Sequence, residues 1–88
     1  MLNKVKKSLR INHDLLDDDI QDLIEASKLK MKISGVFVVD ETDPLIIEAV
    51  KTYCKAHIGV LNDDKERYEE SFRSQVEHLA LCGDYNVL

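Results

Sequence analysis

Residues 43–59 read DPLIIEAVKTYCKAHIG, and this stretch decides the fold. Proline at a first helical position gives up no hydrogen bond that the helix needs, and the aspartate before it caps the free amides. Asp43 and Pro44 therefore start a helix. Leu45, Ile46, Ala49, Val50, Tyr53, Ala56 and His57 follow at steps of three and four, which marks them as its inner face. Gly59 ends the helix, and Val60, Leu61 and Asn62 form the connection to the next element.

The same spacing extends in both directions. Upstream, Leu16, Ile20, Leu23, Ile24, Ser27 and Met31 predict a helix over Asp17 to Ile33, stopped by Gly35. Asp17, Asp18 and Asp19 sit where carboxylates accept first-turn amides, and Lys28, Lys30 and Lys32 sit near the negative end of the helix dipole. Residues 1–11 place Leu2, Val5 and Leu9 on one face, ringed by Lys4, Lys6, Lys7 and Arg10, a short basic amphipathic helix. Downstream from Asp63, Tyr68, Phe72, Val76 and Leu79 recur at helical spacing, with Asp63 to Arg67 and Glu69 to Arg73 as outer ion pairs. A helix of about 20 residues there would be roughly 30 Å long. Gly83 ends it, and residues 84–88 are expected to be a flexible tail. The expected fold is all-α: one domain over residues 1–88, a small bundle of about four helices. They comprise a short N-terminal helix, two of middle length and a long C-terminal one.

The 88 residues are 44% hydrophobic and 33% charged with one proline and three glycines, which excludes general disorder and leaves room for a single small domain. A chain this short leaves apolar surface that a neighbour often covers, so oligomerisation is expected. Seventeen acidic against twelve basic side chains, a net charge of -5, argue against tight binding of nucleic acid through its phosphates. No run approaches a membrane span, and the basic start lacks the apolar stretch of a signal peptide, so a soluble cytosolic product is expected. In that setting Cys54 and Cys82 are expected as reduced thiols.

No catalytic, cofactor or metal site is expected. Cys54, His57, His78 and Cys82 resemble a zinc set, but in an antiparallel hairpin turning near residue 61 the two pairs would lie roughly 20 Å apart, at 1.5 Å per residue. That separation also forbids a disulfide between the two cysteines. From Asp14 to Glu25 the acids partly match a calcium loop, yet Leu16 and Asp19 occupy the positions that need a ligand and a glycine. Cys54 with His57 lacks an oxyanion loop, and no phosphate-cradling glycine motif occurs. A helix-turn-helix DNA-binding regulator is the alternative reading of the last two helices. It is weakened by Asp63, Asp64, Glu66, Glu69 and Glu70, which would repel a duplex. The run Val36, Phe37, Val38 and Val39 suits a short extended segment; between polar-faced helices it either tucks onto the core or meets another chain.

The order LLDDDIQDLIEASKLKMKISGV, DPLIIEAVKTYCKAHIG, KERYEESFRSQVEHLAL resembles the head-tail connector proteins of tailed bacteriophages, also called head-completion or DNA-packaging adaptor proteins. The similarity runs from about Leu2 to Leu81. It implies a non-enzymatic structural virion protein at the head-tail joint, made in the host bacterial cytoplasm. Such a subunit forms a homo-oligomeric ring under the portal protein, extends the DNA channel, completes the head after packaging and docks a tail-side component. DNA passes through it without sequence-specific binding, and no cofactor or membrane is involved. Within that reading, Val36 to Val39 together with part of the second helix are the expected subunit interface.

Overall fold

A computed structural model of the protein describes residues 1–58 and 63–87. Among these are four α-helices and no strand: α1 (Leu2–Ser8), α2 (Asp17–Ile33), α3 (Pro44–His57) and α4 (Lys65–Leu81). The expected helix end at Gly59 and the connection Val60 to Asn62 lie outside the described residues, as does Leu88. α3 is the helix that packs against each of the other three, while α1 also packs on α2. Its start follows the sequence reading, because the Asp43 carboxylate accepts the Leu45 amide at 2.8 Å. Ile46, Ile47, Ala49, Val50, Tyr53, Cys54 and Ala56 are buried. Ile47 and Cys54 thus join the core, and Leu45, assigned inward from its spacing, is instead about half exposed.

α2 has the expected bounds and buries Ile20, Ile24, Ser27 and Met31. The buried Ser27 hydroxyl donates to the Ile24 carbonyl at 2.7 Å, so its polar group is satisfied. Asp17, expected as a capping carboxylate, makes no such bond. It pairs with Lys6 at 2.7 Å, and Asp14 holds the same ammonium at 2.8 Å. This takes Lys6 out of the basic face of α1. Those contacts, led by the Asp14 hydrogen bond, raise the Lys6 pKa. α4 is shorter than expected, beginning at Lys65 and matching α2 at 17 residues. Among the described residues Arg67 accordingly pairs with Asp64 at 3.3 Å in place of Asp63, and Glu69 faces His57 and Lys65 in place of Arg73.

The ends of α1 and α2 share one backbone device. At α2, the Val36 amide donates to Met31 at 2.8 Å and the Gly35 amide to Lys32 at 3.2 Å, with Gly35 at φ 101°. This is the double bond of a Schellman ending, in which the second residue beyond the cap packs on the helix's last turn. Val36 and Met31 are accordingly both fully buried. At α1, Ile11 donates to Lys6 and Arg10 to Lys7, but Arg10 takes the left-handed position at φ 60° without being glycine. α1 therefore stops at Ser8, short of the residue 11 suggested by its apolar spacing.

Beyond Val36 the chain is a connection without strand character, and the segment after α4 returns to it. Tyr85 joins three places: its carbonyl accepts the amides of Phe37 at 2.7 Å and Val38 at 3.1 Å, and its hydroxyl donates to Asp43 at 2.6 Å. Asn86 donates to the Ala80 carbonyl at 3.0 Å. Residues expected as a loose tail thus make defined contacts as far as Asn86. The Tyr85 bond holds the Asp43 carboxyl below its ordinary value and, with burial, pushes the Tyr85 phenol up to about 12.

Two outcomes follow. Gly35→Ala places a side chain in left-handed backbone and should lower the unfolding free energy by about 1–2 kcal/mol in denaturant titration; an unchanged midpoint would contradict the α2 ending. Asp43 stabilises the fold above its unfolded pKa and loses that contribution as pH falls through its lower folded value; Tyr85 contributes below its unfolded pKa and loses it as pH rises toward about 12. An NMR titration should therefore find Tyr85 ionising near 12 in the folded chain. Ionisation near the free-tyrosine value of about 10 would contradict the bond.

Candidate assembly surface

A helix spends its apolar side chains on its packed face, so large ones left in water mark surface available to another chain. Eight large hydrophobic side chains are exposed among the described residues. Six of them, Ile33, Phe37, Val38, Leu45, Leu81 and Val87, belong to segments that meet at one end of the bundle. There α2 and α4 finish and α3 begins. Gly35 lies against Ala80, 3.7 Å from an added Cβ, so the ends of α2 and α4 adjoin. Tyr85 ties the connection and the start of α3 into the same surface. Ile33 and Leu81 stand furthest into solvent, 78% and 86% exposed.

The four residues singled out from the sequence separate here. Phe37 and Val38 lie on the apolar end, and their amides are held by Tyr85. Val36 is in the core, and Val39 is half-buried against it. An assignment of Val36 to a subunit contact is therefore corrected: the Schellman ending turns its side chain inward. Leu45, Leu81 and Val87 lie outside the residues singled out from the sequence, while Ile33 ends the helix of which a part was included. Ile33 and Leu81 each stand two residues past the last buried position of their helix, Met31 and Leu79, and that phase offset was the available signal.

A cleft of about 720 Å³ runs from this end along α3, between α2 and α4. Tyr53 and Phe72, both lining it, meet at a tilt of 58° with ring centres 5.0 Å apart, and the Lys30 ammonium lies 5.2 Å from the Tyr53 ring. His57 sits 4.3 Å from Tyr53 and 3.7 Å from the Glu69 carboxylate, and burial lowers its pKa. These contacts account for His57 as a packing residue. Its sequence neighbour Cys54 is buried, which pushes the thiol up to about 12 and keeps it protonated at neutral pH. His78 is exposed on α4, and Cys82 is half-buried beyond its end. Among the described residues, no three His, Cys, Asp or Glu side chains gather as a metal site needs, and no helix is long and apolar enough to cross a membrane. What this surface presents is apolar side chains in water.

A family model described as phage connector protein matches residues 1–86. Neither a curated protein nor a solved structure matches the chain significantly. The match extends through all four helices to the Tyr85 contact, and the chain belongs to the phage connector protein family.

Proposed function

We propose that the chain is a subunit of a homo-oligomeric ring at the phage head-tail joint. The ring sits under the portal, extends the DNA channel, completes the packaged head and receives a tail-side component. The observation that carries this reading is the apolar end of the bundle, on a chain whose family is that of phage connectors. Exposed apolar groups on a 10.1 kDa subunit favour association by removing that surface from water. Contacts between unlike faces of identical subunits close into a ring when their rotation permits.

Phe37 and Val38 are the subunit contact in this reading, with Ile33 and Leu81 extending it. The net charge of -5 suits a conduit, because a wall that gripped phosphates would impede DNA. The subunit acts as structure and not as a catalyst; it is made in the host bacterial cytoplasm and resides in the virion. Nothing favours the helix-turn-helix alternative, since the start of α4 exposes Asp63, Asp64, Glu66 and Glu70 where a duplex would have to dock.

Electron microscopy of the purified protein with its portal should show closed rings. Phe37 is 40% exposed, so Phe37→Asp removes about 1 kcal/mol of apolar burial from each contact and puts a carboxylate in its place, together a loss of about tenfold in association, with helical content retained. Unchanged oligomer size by light scattering would remove Phe37 from the interface. Absence of rings on the portal would overturn the functional reading.

A further inference from the structure

A contact between unlike faces needs a second surface, and a slot between α1 and α3 has the character of one. It has a volume of about 470 Å³ and is lined by the apolar Pro44 and Ile47 and by three lysines, Lys4, Lys7 and Lys51, against one carboxylate, Glu48. Lys51 is shared with Glu48 at 3.7 Å. Lys6, the fourth lysine of the neighbourhood, is occupied by Asp14 and Asp17. Among the described residues Lys4 and Lys7 have no ion-pair partner, although the chain carries a net charge of -5. The slot adjoins the apolar end, since its lining residues Thr42 and Pro44 flank Asp43, which Tyr85 bonds to the Phe37 connection.

The outer side of α2 has the opposite character. Asp18 and Asp22 are one turn apart, exposed and without an ion-pair partner among the described residues. Leu15, just before the helix, is 88% exposed, and Leu29 is exposed further along the same side. These are the two large exposed hydrophobics outside the apolar end. Ile20 and Ile24 are buried on the other side of α2, so the stripe faces away from its own core.

We infer that the slot between α1 and α3 receives the Leu15, Asp18 and Asp22 face of a second copy. Leu15 lies over Pro44 and Ile47, and the two carboxylates meet Lys4, Lys7 and Lys51. This inference rests on the ring reading and identifies the receiving and entering faces of the subunit contact. Since the faces are different, each copy uses both, and the contact propagates from one copy to the next. Phe37 and Val38, linked through Tyr85 to Asp43 at the edge of the slot, are covered by the same neighbour.

The test is charge exchange, read by sedimentation velocity at millimolar protein in low salt and by micrographs of the protein with its portal. Lys4→Glu with Lys7→Glu reverses the slot; Asp18→Lys with Asp22→Lys reverses the stripe. Each double variant alone should associate about tenfold more weakly than the natural chain, with unchanged helical content by circular dichroism. An equimolar mixture should recover association, because every slot then has a partner of opposite charge. High salt should weaken the natural contact. Association that survives both reversals, or a mixture that does not recover, overturns this contact while rings on the portal leave the functional reading standing. Loss of duplex DNA binding in the lysine variant with self-association intact would assign the slot to phosphates and overturn it too. Absence of rings with the natural chain removes the functional reading and this inference together.

Discussion

Burial of α3 is the constraint on which the rest of the structure depends. Seven of its 14 residues are buried, and they face more than one direction, so no single neighbour covers them. α2 covers one side through Ile20, Ile24 and Met31, α4 another through Phe72, Val76 and Leu79, and α1 adds Val5. Among the described residues no helix closes the gap between α2 and α4. The cleft over Tyr53 and the apolar end are the consequence. Most of the large apolar side chains left uncovered among the described residues lie at that end, with Leu15 and Leu29 the exceptions.

The helical framework was legible because its signals are local. Asp43 with Pro44 starts α3, Gly35 stops α2, and periodicity selects most of the buried positions between such signals. Local signals fail where the outcome depends on distant chain. Leu45 has inward spacing but sits on the first turn of α3, where about half of it stays in water, while Cys54 is fully buried in the core. The Tyr85 bond to Asp43 spans 42 residues and has no counterpart in composition or period. Val36 and Phe37 are adjacent in an unbroken apolar run, yet one is core and the other surface, because backbone bonds at the end of α2 decide which way each side chain turns. Arg10 in left-handed backbone is a further case: the Schellman bonds form without the glycine that would have announced them.

The electrostatics divide the surface in a way net charge conceals. Lys6 is drawn into a buried-side contact with Asp14 and Asp17, which fixes α1 against the start of α2. Lys28 similarly joins Glu25 and Glu41, tying the last turns of α2 to the connection. The basic cluster read in the N-terminal segment is thereby reduced and split, part structural and part available. The carboxylates of these pairs remain partly or largely in water, and such pairs contribute little to stability one by one. Their effect is to position α1 and the connection, which carry the slot and the apolar end.

The most direct measurement is amide hydrogen exchange on the free protein and on the protein assembled with its portal. Assembly should add protection at Ile33 to Val38 and at Leu81 to Val87, the backbone of the apolar end, with α3 already protected in both states. Unaltered exchange in those two segments, with protection gained elsewhere on the assembled subunit, would contradict it.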